Sequence, residues 1–567
     1  VPSSSYPVPR RWRTVPTERT LLAVVHNVTA ATRLLDVLPL FAGDPRVQVV
    51  FTCPDSSAFT RGTQEYLAAR GIPLEPWEDI VAEDFDWALA ASYGGDLHKL
   101  RAPLTVLPHG MGYNKFLETG NRKPETGNRK PETGNRKPET GNRKPETGNR
   151  KPETGNRKPE TGNRKPVFGL SEQWLMHNGE VIAEHHVLSH PEQLTRLRQY
   201  CPEAADHAVI AGDSCLDRLR NARELRESYR QALGVTGEQT LVLISSTWGQ
   251  LSSYGSGPDL PQRIAQQLPL DEFAVVLALH PNIGQGHYPW QLKQWLQECE
   301  RAGVIVLPEE DLWQPAAVAA DVTIGDHGSV TYYSACLGTP VLLAAAPHDA
   351  VDPDSPVAAL LRAAPALTDE NLADQLCTAT QPPALIAATS LATSVPGQSA
   401  ALLTDLGYRT LKLPPPARPA GFIAFPLPRV HRPEPGAQWV RVRGDDVTRF
   451  AATTPEAHLV VHVDGPDPRL LRRADIVLGD RFPDPGRWIA LTLAEFPGCE
   501  WAACPAGSGW LAGSRDGLVV SFTGTDLPQA VPSLLYKRDL LGLDFPEQLP
   551  FTAAGRKHEV RLTIHYG

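Results

Sequence analysis

Several features that would fix a protein's class at once are scarce in this sequence. Its 567 residues hold 2 methionines and 8 cysteines, and aromatic residues make up 7%. The longest apolar runs, FAVVLAL (273–279) and PVLLAAA (340–346), stop at seven residues. A membrane-spanning helix needs roughly 20. The cysteines (53, 201, 215, 299, 336, 377, 499 and 504) stand singly. Cys499 and Cys504 form one close pair, with no second Cys or His pair at zinc-finger spacing. That argues against a disulfide framework and against a structural zinc site. The opening VPSSSYPVPRRWRTVP has no apolar core and does not read as a secretory leader. The expectation is a cytoplasmic protein, with peripheral contact at the inner membrane face as an alternative, and with no cofactor or metal. A G-x-x-x-x-G-K-[ST] phosphate loop is also missing, which removes the usual nucleotide-triphosphatase signature.

What is present in excess is a tandem repeat. Residues 118–166 are seven copies of ETGNRKP. Each copy carries Arg and Lys against one Glu, so the tract contributes +7 to a formal net charge of -9. The other 518 residues therefore carry -16. Such an acidic globular part is unsuited to gripping nucleic acid. Outside the tract Arg outnumbers Lys 35 to 6, which suggests a high-GC genome. The heptad period is not that of a coiled coil, because no position is apolar and there is no seam to bury. Pro at every seventh residue removes helix hydrogen bonds, and the polar units bury nothing to offset the cost of ordering. The tract reads as a disordered insertion, either a neutral expansion of a 21-nucleotide DNA repeat or a partner-binding arm.

The remaining chain alternates short apolar strands with helices. TLLAVVHN (20–27), VQVVFT (47–52), WALAAS (87–92), LTVLPHG (104–110), HHVLS (185–189) and HAVIAG (207–212) read as strands, and ELRESYRQALGV (224–235) as a helix. A second series follows in LVLISST (241–247), FAVVLALHP (273–281), VIVLP (304–308), VTIGD (322–326) and VLLAAA (341–346). This pattern predicts α/β architecture: two doubly wound, Rossmann-type parallel sheets with a cleft at their carboxyl ends. The expected divisions are an N-terminal arm (1–19), a first domain (20–235) interrupted by the repeat, and a second domain (236–412). A Pro-rich linker (413–436) and a β-rich extension (437–567) would follow. In the extension WVRVRG (439–444), HLVVHVDG (458–465), DIVLGD (475–480), WIALTL (488–493) and GLVVSF (517–522) read as strands, and no constellation there suggests chemistry.

Four strand ends gather reactive groups. Leu107-Pro108-His109-Gly110-Met111-Gly112-Tyr113-Asn114-Lys115 follows a strand, and a histidine among small residues there suits a general base. His280 ends another strand and is stopped by Pro281. Asp326-His327-Gly328-Ser329-Val330-Thr331 opens a helix. Ser329 is the expected N-cap, Gly328 allows close approach, and the helix start is an anion site. Ser246 and Thr247 end the first strand of the second domain, where their hydroxyls could meet phosphate.

The combination HG (109–110), GDSCLDRL (212–219), STW (246–248), HP (280–281) and DHGSVTYYSACLGTPVLL (326–343) resembles the CDP-glycerol glycerophosphotransferases. These are the teichoic-acid polymerases, a GT-B family distantly similar to other nucleotide-sugar glycosyltransferases and epimerases. The resemblance covers about residues 20–370. The chain is also similar to actinobacterial proteins often labelled translation initiation factor 2, a label that no GTPase motif supports. The family resemblance implies a transferase that takes a nucleotide-activated donor and a small or polymeric acceptor. It makes His109 the base on an acceptor hydroxyl and sets His280 near the donor diphosphate. It also puts Ser246, Thr247, Gly328, Ser329 and Thr331 at the donor phosphates, and Asp326 at the loop or a ribose. Gly110, Tyr113 and Lys115 would form the acceptor loop. The family's Asp-aromatic-Ser-Ser is Asp326-His327-Gly328-Ser329 here, and the lost hydroxyl points to a nucleotide sugar as donor. A non-catalytic binding protein on the same scaffold, with the repeat as its interaction arm, is the alternative.

Overall fold

The computed structural model describes residues 14–54, 62–116, 165–235, 237, 239–308, 312–430, 432–433, 435–465 and 467–565. Most of the N-terminal arm, and all of the repeat except Lys165 and Pro166, lie outside the described residues. The expectation of disorder in the repeat lies outside them as well.

The first sheet runs β2-β1-β3-β4-β5-β6 and is wholly parallel. Its strands are β1 (Arg19–Val24), β2 (Val47–Thr52), β3 (Trp87–Ala90), β4 (Leu104–Val106), β5 (His185–Leu188) and β6 (Ala208–Ile210). Successive side chains of a strand point to opposite faces, and β1 shows the result. Leu21 and Ala23 join one hydrophobic cluster while Leu22 and Val24 join another. Both faces are covered, so the strand reads as an unbroken apolar run. Helix α1 (Val28–Val37) follows, with the Asn27 side chain accepting the Ala30 N–H at 2.9 Å as its cap.

The second sheet is also parallel, in the order β9-β8-β7-β10-β11. It comprises β7 (Thr240–Ser246), β8 (Phe273–Leu279), β9 (Ile305–Val306), β10 (Val322–Gly325) and β11 (Val341–Leu343). Helix α2 (Pro281–Gly286) follows β8 and α3 (Ser329–Cys336) follows β10. In each sheet the first strand has neighbours reached by opposite crossovers: β1 lies between β2 and β3, and β7 between β8 and β10. Those are the switch points where doubly wound sheets open a crevice. This is the paired α/β arrangement that the sequence pattern predicts.

Helix α4 (Ser399–Thr410) falls within the stretch expected to form the second domain, yet it packs on the first. Leu403, Leu406 and Tyr408 join the β1–α1 core. Gly407 permits the contact, since a Cβ there would stand 2.4 Å from the Phe41 ring and 2.7 Å from that of Trp87. The Pro-rich crossing that follows is pinned rather than loose. Phe425 is buried in the second domain's core, and its carbonyl accepts the Tyr229 hydroxyl at 2.8 Å.

The C-terminal region closes into a nine-stranded barrel, ordered β12-β13-β19-β20-β18-β17-β16-β15-β14. The strands are β12 (Ala437–Arg443), β13 (Asp446–Phe450), β14 (Ala457–His462), β15 (Ile476–Leu478), β16 (Trp501–Ala506), β17 (Gly509–Ser514), β18 (Val519–Thr523), β19 (Gln548–Ala553) and β20 (Arg556–His565). One expected strand is a helix: WIALTL lies inside α5 (Pro485–Glu495). Pro485 occupies its first turn, Asp484 caps the Arg487 N–H at 3.0 Å, and Ile489 and Leu493 are buried four residues apart. A short apolar run does not distinguish the two periods, and here the capping residues decide. Helix α6 (Val531–Leu540) sends Val531, Leu534 and Leu535 into the barrel core. The barrel docks on the second domain through Arg449, whose Nε donates to Asp271 Oδ2 at 2.8 Å. No helix among the described residues is long and apolar enough to cross a membrane.

Candidate functional site

The loop after β4 leaves the first domain and is stitched to the second. Asn114 O accepts the Asp352 N–H at 2.8 Å, Lys115 bridges to Val351, and Phe116 N–H donates to Ala350 O at 3.2 Å. Arg196, buried, pairs with Asp352 at 3.2 Å and also donates to Tyr113 O. The carboxyl ends of the two sheets are thereby held face to face.

His109 sits on the first-domain side of this cleft. Its Nδ1 lies 2.9 Å from Ala91 O. A carbonyl can only accept, so Nδ1 carries the proton and Nε2 keeps its lone pair. Burial lowers the His109 pKa to about 4 despite the Ala91 carbonyl, and the Arg33 and Lys115 charges lower it further. At neutral pH the ring is therefore an unprotonated acceptor.

His280 has the opposite tautomer. Its Nδ1 accepts the Asn282 N–H at 3.1 Å and caps α2, which leaves the proton on Nε2. Burial, then Lys115, then His109 lower its pKa to about 3. Nε2–H is thus a neutral donor within electrostatic reach of Lys115 and His109.

Lys115 supplies a positive charge that acts on both rings. Its Nζ donates to Thr247 Oγ1 at 3.0 Å across the cleft. The start of α3 lies on the same side. Gly328, not Ser329, is the N-cap, with extended backbone and no side-chain cap. Ser329 is the first helical residue, and its Oγ accepts the Met111 N–H at 3.0 Å from the opposite domain. The correction has a simple cause, because an N-cap side chain bonds the helix's own second or third amide. Here that hydroxyl reaches across the cleft instead. The first-turn amides of α3 have no partner within the helix and carry the positive end of its dipole.

The other polar residues of these strand ends are occupied internally. Asp326, fully buried, accepts the N–H groups of Ser253 at 2.8 Å, Gly328 at 2.9 Å and Thr247 at 3.1 Å. Burial pushes its carboxyl up against the pull of those donors and of Lys115. Thr331 Oγ1 accepts the Asp326 N–H at 3.1 Å. Ser246 Oγ donates to Thr247 O and accepts the Tyr254 N–H, both at 2.9 Å. Asp326, Thr331 and Ser246 are thus engaged in holding the loop together. Tyr113 turns inward as well, with its ring buried and its hydroxyl on Val187 O at 3.0 Å. It anchors the loop after β4 from beneath.

Gly110 faces Ser329 across the cleft. Its φ is +69°, and a Cβ there would lie 2.5 Å from Ser329 Oγ. Gly110→Ala is expected to cost about 1–3 kcal/mol, from the left-handed backbone and the clash together. A urea titration of the variant checks the value.

Sequence reasoning passed over His26. It follows β1 as His109 follows β4, and this strand-end position was the available signal. Its Nε2 lies 2.7 Å from Gly94 O, and its buried Nδ1 has no partner. Burial, partly offset by the Gly94 carbonyl and reinforced by His109, lowers its pKa to about 4. His327 is a further buried neutral ring beside Lys115, held down to about 3 by burial and that charge.

No protein-family model matches the chain, and no curated protein matches it. Among solved structures it is similar to MnaA of S. aureus in complex with UDP, at 10% identity and a TM-score of 0.38, over 69% of this chain and 96% of that one. It is similar to the wall teichoic acid polymerase TagF soaked with CDPG, at 11% identity and a TM-score of 0.41, over 70% and 89%. It is also similar to the UDP-GlcNAc 2-epimerase of Neisseria meningitidis bound to UDP-GlcNAc, at 14% identity and a TM-score of 0.39, over 69% and 100%.

Proposed function

We propose that the cleft catalyses transfer from a nucleotide-activated donor to an acceptor hydroxyl, with a nucleotide sugar as the donor and glycerophosphate transfer as the variant of the same chemistry. The observation that carries this reading is two buried neutral histidines of opposite tautomer, both within electrostatic reach of Lys115. His109 offers a lone pair, His280 an N–H, and Lys115 bridges to Thr247 across the cleft.

The roles follow from charge flow. The acceptor oxygen attacks the anomeric carbon, or phosphorus in the glycerophosphate case, and its proton passes to His109 Nε2. The bond from that centre to the nucleotide phosphate oxygen breaks, and the electron pair stays on the departing phosphate. Lys115, the α3 amides and His280 Nε2–H face the growing negative charge. Pre-aimed donors and a nearby cation are the largest source of rate in such sites. At pH 7 His109 is unprotonated and so able to take the proton, and the Lys115 and Arg33 charges favour its return to the neutral state.

The test begins with binding. CDP and UDP at millimolar concentration are expected to raise the melting temperature of the full chain. Lys115→Ala is expected to weaken that binding by about tenfold or more, the value of a lost charge-assisted contact. If neither nucleotide shifts the melting temperature, the donor assignment is wrong. If both bind but no panel of nucleotide sugars and CDP-glycerol is turned over, the non-catalytic scaffold reading replaces it.

A further inference from the structure

The barrel holds a cavity that takes no part in the cleft. Strand β17 alternates, with Trp510 and Ala512 facing the barrel core and Leu511 facing the cluster that includes Ile489 and Leu493 of α5. Trp510 pairs with Phe522 of β18 on one side and Pro505 of β16 on the other. The Trp510 and Phe522 rings stack at 6.2 Å with 25° between their planes. At this end of the barrel they border a cavity of about 290 Å³. Ser508, Thr525 and Arg481 are among the other lining residues.

The chemistry of this lining is selective. No carboxylate contributes to it, although the chain outside the repeat is strongly acidic. Arg481 is its one charged residue, exposed to solvent and steadied by an N–H bond from Nη1 to Gly507 O at 2.9 Å. A guanidinium is suited to the two oxygens of a phosphate or carboxylate. Ser508, Thr523 and Thr525 add hydroxyls that both donate and accept. An indole with an apolar body and a polar edge suits a ring with one apolar face and many hydroxyls. Barrel mouths are recurrent ligand sites, and 290 Å³ lies just below the roughly 300–1,000 Å³ range of small-molecule pockets. The space suits one sugar ring with its anionic group.

We propose that the barrel mouth is a second binding site, for a single anionic saccharide unit carrying a phosphate or carboxylate. Arg481 takes the anion, Trp510, backed by the buried Phe522, takes the ring, and Ser508, Thr523 and Thr525 take its hydroxyls. The unit is either a free sugar phosphate or the end of a polymer, and both present the same chemistry to the mouth. This assignment does not depend on transfer in the cleft.

Calorimetric titration of the full chain tests it, with glucose 6-phosphate, glucuronate, glucose, inorganic phosphate and a phosphorylated oligosaccharide as probes. Glucose 6-phosphate or glucuronate is expected to bind at least tenfold more tightly than glucose or inorganic phosphate. Arg481→Gln, at an exposed position, is expected to weaken that binding at least tenfold. Thr525→Val should weaken it several-fold, and the cleft variant Lys115→Ala should leave it unchanged. Tighter binding of the oligosaccharide assigns the mouth to a polymer end, and equal binding assigns it to the free sugar phosphate. The proposal fails if neither anionic sugar binds, if inorganic phosphate binds as tightly as glucose 6-phosphate, or if binding survives Arg481→Gln and is lost in Lys115→Ala.

Discussion

His109→Asn is expected to lower the rate of transfer by about 10²–10⁴-fold, the usual contribution of a positioned general base, while donor affinity stays within about twofold. Asparagine is the informative replacement because its amide can still donate to Ala91 O, where Nδ1–H of the imidazole now sits. The loop is kept and the lone pair is lost. Single-turnover kinetics with the donor saturating, beside a direct donor titration, separates the two quantities. An unchanged rate would move the base elsewhere, and His26 would be the next group to replace. The pH profile gives a second reading of the same group. The active form is the neutral ring, and burial holds the His109 pKa at about 4. The rate is therefore expected to lose this group's contribution only as pH falls through about 4. An imidazole at its ordinary pKa would begin to fail near 6.5.

Acid should unfold this protein well above the pH at which its carboxylates protonate. His26, His186, His327 and His458 are all at least nine-tenths buried. Burial lowers their pKa values to about 4, 3, 3 and 4 respectively. In the unfolded chain each would titrate near 6.5. Between 6.5 and about 4 the unfolded chain therefore binds more protons than the folded one, and stability falls as pH falls. The stabilisation is complete above 6.5 and is lost progressively down to the folded values. Each histidine contributes at most about 1.4 kcal/mol per pH unit, so the four together reach a ceiling of roughly 5 kcal/mol per unit. Urea midpoints followed by circular dichroism at pH 7, 6, 5 and 4.5 give the slope. Stability that stays level from pH 7 to 5 would mean that these rings are not held neutral. His458→Gln, at the His458–Ser533 contact between β14 and α6, should flatten the slope by about a sixth, because His109 and His280 are lowered as well.

The parts of the fold that were legible in the sequence are those where one physical signal dominates. The eleven short strands of the two sheets are apolar because both their faces are covered, and a Gly, Pro, His or Asp marks many of their ends. His109 and His280 stood out because each follows a strand beside a glycine or proline, although His280 also caps the helix that follows it. What was not legible was the use to which each polar group is put. Asp326, Thr331 and Ser246 have the right chemistry and the right position, yet their partners are backbone amides some five to eighty residues away. No local pattern encodes that choice. The return of α4 to the first domain depends on Gly407 meeting Phe41 and Trp87, a contact spanning more than 300 residues of chain. The barrel escaped for a related reason: its closure joins strands far apart in sequence, such as β13 with β19.

The two ends of the repeat carry a consequence of their own. Phe116 and Val167 pair across a β-bridge, Phe168 N–H donates to Lys115 O at 3.0 Å, and the Lys165 ammonium stands 5.5 Å from the Phe116 ring centre. Departure and return are thus fixed at one point on the cleft margin. The distance the intervening chain must span does not depend on how many residues it contains. The entropy of closing such a loop rises only with the logarithm of its length, about 0.6 kcal/mol for each doubling. Gaining or losing a seven-residue unit among the present 49 residues therefore costs the fold much less than thermal energy at room temperature. Replication slippage could vary the copy number between strains with no folding penalty large enough to oppose it.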